Sequence, residues 1–210
     1  MGNSHFNYVD GIILVFLVVG IFRGRKRGMS EELLTFLQWM VIIFVGGKIY
    51  EPLGLMLSKQ APFSLLMCYV AVYVGFAILT KILFLQIQRA VGEKLVGSNF
   101  FGVTEYYLGM LAGMIRFACM VLLTMALLNA RLVTERERAV TAKMQSKNFE
   151  GISFPTFGSI QQAVLFESFL GKNVKEHLSF LLIESTAPQN VSLSRGEGRG
   201  FNEVFDPLKK

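Results

Sequence analysis

The sequence is poor in the residues that build catalytic and metal sites. Its 210 residues include only two histidines, His5 and His177, and two cysteines. The histidines are far apart in the chain, and neither is paired with a carboxylate or a cysteine as in metal ligation or general-base catalysis. The G-x-S-x-G elbow, the P-loop and the dinucleotide fingerprint are also missing. We therefore expect a protein that is not an enzyme and has no metal or cofactor.

Charge is scarce over the first 130 residues. Of the 21 lysines and arginines, 11 lie from Arg131 onward. The whole chain is 52% hydrophobic with a mean hydropathy of +0.48, so its first part is more apolar than these averages indicate. Cys68 and Cys119 fall inside apolar runs, which predicts buried thiols rather than a disulfide or a zinc site. The net charge of +6 does not indicate a nucleic-acid partner, because the densest basic cluster, residues 23–27, lies between two apolar runs.

Four apolar stretches dominate this first part of the chain. A helix needs about 20 residues to cross about 30 Å of hydrocarbon, and backbone groups in lipid must be satisfied within the segment. Alternation at period two is absent, which disfavours a barrel. No cleavable signal peptide is evident, so the first stretch is expected to be a retained anchor. We predict an all-α, four-helix polytopic membrane bundle in residues 1–130, with spans at about 6–23, 33–50, 62–86 and 106–129.

The remaining chain has a different composition. Residues 131–186 are predicted to be polar and amphipathic helices, with a loop at 148–159 and an amphipathic stretch over 160–184 that Gly171 divides in one interpretation. This stretch packs on the bundle in one hypothesis and lies on the lipid surface in the other. Residues 187–210 are polar and glycine-rich and are expected to be a disordered tail.

The orientation is predicted from the basic residues. With four spans, both termini lie on one side, and the loops at residues 23–32 and 88–105 lie on the other. The first loop carries four topology-determining cations, and the positive-inside rule predicts that it is cytoplasmic. The basic residues of 131–147 argue for the opposite orientation. The four cations are Arg23, Arg25, Lys26 and Arg27.

Arg116 is the most informative single residue, because it falls near the middle of the fourth span. An isolated charge at that depth costs at least ~2.5–3.5 kcal/mol, so the side chain should face the bundle interior and find an acidic partner. Asp10, at the start of the first span, is the predicted partner, and Glu105 is the alternative. A structural ion pair and a contact with a substrate or ion both remain open.

Two series of glycines are spaced four residues apart. Such small residues allow close contact between helices in a membrane. They predict helix packing, with a specific oligomer interface as the alternative, and Gly24 and Gly28 are also compatible with a tight turn. The first series is Gly20, Gly24 and Gly28, and the second is Gly109 and Gly113.

Two blocks of sequence carry a family resemblance. In the first, Asp10 opens an apolar span and is followed by Arg23-Gly24-x-x-Arg27-Gly28 and then Glu31-Glu32. The second is Thr104-Glu105-x-x-Leu108-Gly109-x-x-x-Gly113-x-x-Arg116. Together they resemble the colicin V production (CvpA) family over about residues 8–130. The chain departs from the family pattern at Tyr106, where an arginine is usual, and at Phe117, where a glycine is often found.

The resemblance implies a multi-pass protein of the bacterial inner membrane, in a family named for its requirement in the production of a secreted peptide toxin. We expect a non-enzymatic accessory or assembly factor that lies in the lipid bilayer as a homo-oligomer or with a membrane-protein partner. The alternative is a small oligomeric transporter or channel subunit. In that case Asp10, Arg116 and Glu105 would line an aqueous path.

Overall fold

The computed structural model describes residues 7–60, 62–96, 102–131, 133–148 and 155–186, and these residues form an all-α structure. The only extended pairing in these ranges is a bridge between Arg131 and Thr186. The predicted fold class is therefore confirmed. The helices are α1 (Tyr8–Gln60), α2 (Leu65–Val96), α3 (Glu105–Ala130), α4 (Glu135–Asn148), α5 (Phe157–Gln162) and α6 (Phe169–His177).

The described residues contain three helices that are long and apolar enough to cross a membrane, not the four that were predicted. The difference lies in α1, whose 53 residues include both of the first two apolar stretches. The expected loop at residues 23–32 is helical on both sides of Gly28, and α1 continues through Pro52 as far as Gln60. The basic residues 23–27 are therefore part of the helix and do not form a loop.

Gly28 divides α1 into two arms, which we name arm A (residues 8–27) and arm B (residues 29–60). Its backbone has φ 74° and ψ 170°, a left-handed conformation that favours glycine because it has no Cβ. Val9 of arm A and Tyr50 of arm B belong to one buried cluster with Ala130, at the end of α3. Gly28 instead lies against Glu105, at the start of α3. The two arms therefore run antiparallel, and Gly28 is the point of reversal.

α2 packs along arm B in the opposite direction. Near one end, Gln88 Nε2 donates to Thr35 Oγ1 over 3.3 Å. Near the other, the ring of Tyr69 lies against Gly54, which is buried. The third predicted stretch is thus a helix that begins at Leu65 and extends ten residues beyond residue 86, to Val96.

The C-terminal segment (residues 155–186) packs on the bundle, as the first of the two hypotheses stated. Leu165 and Ile183 have no exposed surface and join the buried cluster that contains Val9 and Tyr50. The amphipathic stretch is divided at Ser168 and not at Gly171. Ser168 is the N-cap of α6, and its Oγ accepts the Gly171 N–H over 2.8 Å. The predicted tail at residues 187–210 lies outside the described residues.

Candidate functional site

The two glycine series meet where arm A crosses α3. A Cβ on Gly109 would lie 2.6 Å from the Gly24 carbonyl oxygen and 2.8 Å from the Gly28 Cα. A Cβ on Gly113 would meet the carbonyl oxygen of Gly20, and would lie 2.9 Å from the Gly24 Cα. Backbone therefore packs directly on backbone along the whole crossing, as small residues permit. These glycine faces are occupied within the chain, so an oligomer has to use another surface.

The structure pairs Arg116 with Glu32, a residue that was not among the predicted partners. Arg116 Nη1 lies 2.5 Å from Glu32 Oε2, and the Glu32 side chain has no exposed surface. Arg27 Nη1 lies 3.4 Å from the other carboxylate oxygen of Glu32. The predicted pairing with Asp10 or Glu105 is wrong. The reversal at Gly28 brings the start of arm B, and not the start of arm A, to Arg116, while the Glu105 side chain lies beside Gly28.

Two buried polar atoms lie without a hydrogen-bond partner in this neighbourhood, as far as the described residues extend. They are Arg116 Nε and Ser30 Oγ. Ser30 is only 3% exposed and lies two residues before Glu32. The guanidinium carbon of Arg116 also lies 5.1 Å from the centre of the Phe117 ring, within the range of a cation–π contact. The ion pair is thus almost fully buried, and the Arg116 guanidinium keeps one N–H group without a partner.

Asp10 holds the C-terminal segment on the bundle. Its carboxylate is fully buried and accepts the N–H groups of Phe169 and Leu170, each over 3.0 Å. These are the first two residues of α6, whose N–H groups have no partner inside the helix. A carboxylate at this position also interacts favourably with the helix dipole. Asp10 therefore works as a helix cap supplied by a distant part of the chain.

Three further side chains fasten the same segment to the end of the bundle. Gln161 Nε2 donates to the carbonyl oxygens of Leu128, over 2.7 Å, and of Arg131, over 2.5 Å. Asn129 Nδ2 donates to the Ile183 carbonyl over 2.9 Å. The Tyr50 hydroxyl accepts the Glu184 N–H over 3.0 Å. The last carbonyl groups of α3 would otherwise have no partner, so the bonds from Gln161 cap this helix end as well as anchoring the segment. We name this the capped end of the bundle.

The opposite end carries the predicted topology-determining cations, and we name it the basic end. Arg23, Arg25, Lys26 and Arg27 are all exposed there, on the last turns of arm A. Glu105, the other candidate charge, is partly buried, and its side chain lies beside Gly28. A cavity of about 680 Å³ opens at this end between arm A and the first turns of α3.

Comparison with known families identifies the chain. The family model described as Colicin V production protein matches residues 9–170. The chain belongs to the colicin V production protein family. No curated protein and no solved structure matches it.

The family match extends past the 8–130 that the two sequence blocks covered, and it ends at Leu170. It therefore includes both N–H groups that Asp10 accepts. In this colicin V production family member, the two blocks that carried the resemblance pack on each other through the glycine crossing and the Glu32–Arg116 pair. The sequence offered one signal for Glu32, since it belongs to the first of these blocks, after Arg27-Gly28.

Proposed function

We propose that this protein is a non-enzymatic accessory or assembly factor for the production of colicin V or a similar secreted toxin. In this proposal it crosses the bacterial inner membrane four times and acts as a homo-oligomer or in complex with a membrane-protein partner. The family match over residues 9–170 is the observation that carries the proposal. The following features of the described residues support its separate parts.

Four crossings are supported by the hairpin of α1. Arm A has 20 residues and arm B has 32, and at 1.5 Å per residue the shorter arm spans about 30 Å, the thickness of the hydrocarbon layer. The antiparallel arms would thus supply two crossings, and α2 and α3 would supply the others. Large apolar side chains are exposed along these helices, as expected for lipid contact. They include Ile12, Leu14, Val15, Ile78, Leu79 and Ile82.

The basic end is cytoplasmic in this proposal, because short loops rich in lysine and arginine remain on that side. The capped end and the C-terminal segment then lie on the opposite side. Reporter fusions after Ala130 and after Lys210 test the orientation. We expect both to report a location outside the cytoplasm, and a cytoplasmic signal from both would reverse the assignment.

An accessory role is supported by what the buried polar groups do. Asp10, Gln161 and Asn129 all hold the C-terminal segment in place through bonds to backbone groups. A family member whose buried polar groups maintain one arrangement of helices is suited to presenting a fixed surface to a partner.

The test of the accessory role is deletion of the gene in a strain that secretes colicin V. We expect toxin activity in the medium to fall while the peptide still accumulates inside the cell, and complementation to restore secretion. Unchanged secretion would refute the proposed role.

A small transporter or channel subunit is the second candidate, and the enclosed Glu32–Arg116 pair favours it. Ionisable residues inside membrane proteins often mark ion or substrate pathways, and the buried Arg116 Nε lacks a hydrogen-bond partner within the described residues. Flux of solute or protons into liposomes that contain the purified protein tests this candidate. Flux that Arg116→Leu abolishes and the exposed-site control Arg23→Leu leaves unchanged would favour a transporter over an accessory factor.

A further inference from the structure

The cavity at the basic end has the chemistry of a phosphate site at a membrane surface. Because arm A stays helical through the basic cluster, Phe22, Arg25 and Lys26 follow one another at helical spacing and share one face. Tyr106 and Tyr107, in the first turn of α3, face them across the cavity. Met110 completes the lining, so the cavity combines two cations and two hydroxyl-bearing rings with an apolar floor.

The two cations of this cavity are available to a ligand. Within the described ranges, the ion pairs of the chain involve Arg27 and Arg116 with Glu32, and neither Arg25 nor Lys26 takes part. The nearest acidic residue in sequence on α3, Glu105, is directed to Gly28 and is not part of the lining. Among the described residues, the lining of the cavity is therefore positively charged and includes no carboxylate.

We propose that this cavity binds the phosphate headgroup of an anionic phospholipid. Basic pockets between membrane helices are suited to such headgroups, and an arginine fork can donate two parallel hydrogen bonds to phosphate oxygens. Tyrosine is enriched at membrane–water interfaces, where its ring meets lipid and its hydroxyl meets the headgroup. Phe22 and Met110 would contact the first part of the acyl chains. This inference requires only that the protein lies in a membrane, so it stands independently of the role in toxin production.

The test is native mass spectrometry of the full-length, delipidated protein titrated with phosphatidylglycerol, with phosphatidylcholine and with inorganic phosphate. The key variant is Arg25→Gln/Lys26→Gln. The matched control is Arg23→Gln, which removes a cation from the same helix turn and the same end of the bundle but does not line the cavity. Each basic group near an anionic lipid contributes roughly fivefold to the affinity. We therefore expect the double variant to bind phosphatidylglycerol roughly 30-fold more weakly.

The outcomes separate the site from general electrostatic attraction. Preferential binding of phosphatidylglycerol over phosphatidylcholine, lost in the double variant and retained in Arg23→Gln, is the expected result. If the loss of affinity for phosphatidylglycerol per removed charge is the same in the double variant and in Arg23→Gln, the attraction is diffuse and the proposed site is overturned. Inorganic phosphate that binds as tightly as the lipid would overturn the assignment to a lipid headgroup. Tyr106→Phe/Tyr107→Phe leaves the charge unchanged, and it should weaken binding without altering thermal stability if the hydroxyl groups contact the phosphate.

Discussion

Replacing Gly109 by alanine should separate arm A from α3. The new Cβ would lie 2.6 Å from the Gly24 carbonyl oxygen and 2.8 Å from the backbone of Gly28. Both neighbours are backbone atoms, so neither can rotate away as the end of a flexible side chain would. The two helices must move apart, and the packing along the whole crossing is disturbed. Forcing a methyl group into a tightly packed site costs about 1–3 kcal/mol.

The chain contains two matched controls for this substitution. Gly11 in arm A and Gly75 in α2 are also helical glycines, and among the described residues a Cβ at either would meet no atom beyond its own helix backbone within 4 Å. Replacing them by alanine should be neutral or stabilising, because alanine is favoured over glycine in a helix interior by up to about 1 kcal/mol. The sign of the effect therefore differs between the crossing and the controls, although the chemical change is the same.

The assay is unfolding of the micelle-bound protein by increasing SDS, followed by the fluorescence of Trp39. This is the only tryptophan in the chain, and it packs against the buried cluster of Ile43 and Cys119 between arm B and α3. We expect Gly109→Ala to unfold at a lower SDS fraction than the wild type, and Gly75→Ala to unfold at the same or a higher fraction. If Gly109→Ala and Gly75→Ala unfold together, the direct backbone contact at the crossing is refuted.

Three further substitutions probe the buried charges. Asp10→Ala leaves two N–H groups of α6 without an acceptor and should cost about 1–3 kcal/mol of stability. Amide hydrogen exchange should become faster over residues 169–177 in this variant and stay unchanged in the exposed control Glu31→Ala. Unchanged exchange in Asp10→Ala would contradict the cap. Glu32→Gln should cost about 3–5 kcal/mol, because it leaves the buried charge of Arg116 unpaired. Arg116→Gln should cost less, because Arg27 Nη1 still lies 3.4 Å from the Glu32 carboxylate. Their double variant should cost clearly less than the sum when stability is measured in the same SDS titration, and strict additivity would mean that the two residues do not interact.

The helical fold class and the packing role of the glycines follow from local patterns. Long apolar runs need helical backbone in lipid, and that reasoning found the apolar part of each of the three long helices but divided α1 into two. Small residues four apart share a helix face, so Gly109 and Gly113 were expected to permit close contact. Their partner was harder to infer. To predict the contact with arm A, one must know the relative position of two helices that are about 85 residues apart in the chain. The periodicity of the sequence contains no such information.

The partners of the buried charges were not predictable for a related reason. The charges at residues 23–27 indicated a loop, and this assignment placed Glu32 at the edge of the membrane. In the structure the helix continues to Gly28 and resumes at once, so Glu32 is buried. Asp10 bonds to N–H groups that are 159 and 160 residues away in the chain. Both contacts depend on tertiary structure: the first on a single glycine conformation, the second on the docking of the C-terminal segment.

The two ends of the bundle differ in how their polar groups are used, and this difference constrains where a partner can bind. At the capped end, Asp10, Tyr50, Asn129 and Gln161 are already bonded to backbone groups of the chain. A partner that displaced the C-terminal segment would have to replace these bonds, each of which contributes about 0.5–1.5 kcal/mol. At the basic end, Arg25 and Lys26 form no ion pair within the described residues. A ligand can therefore bind at the basic end without breaking any of these contacts, whereas binding at the capped end is favourable only for a partner that supplies equivalent hydrogen bonds.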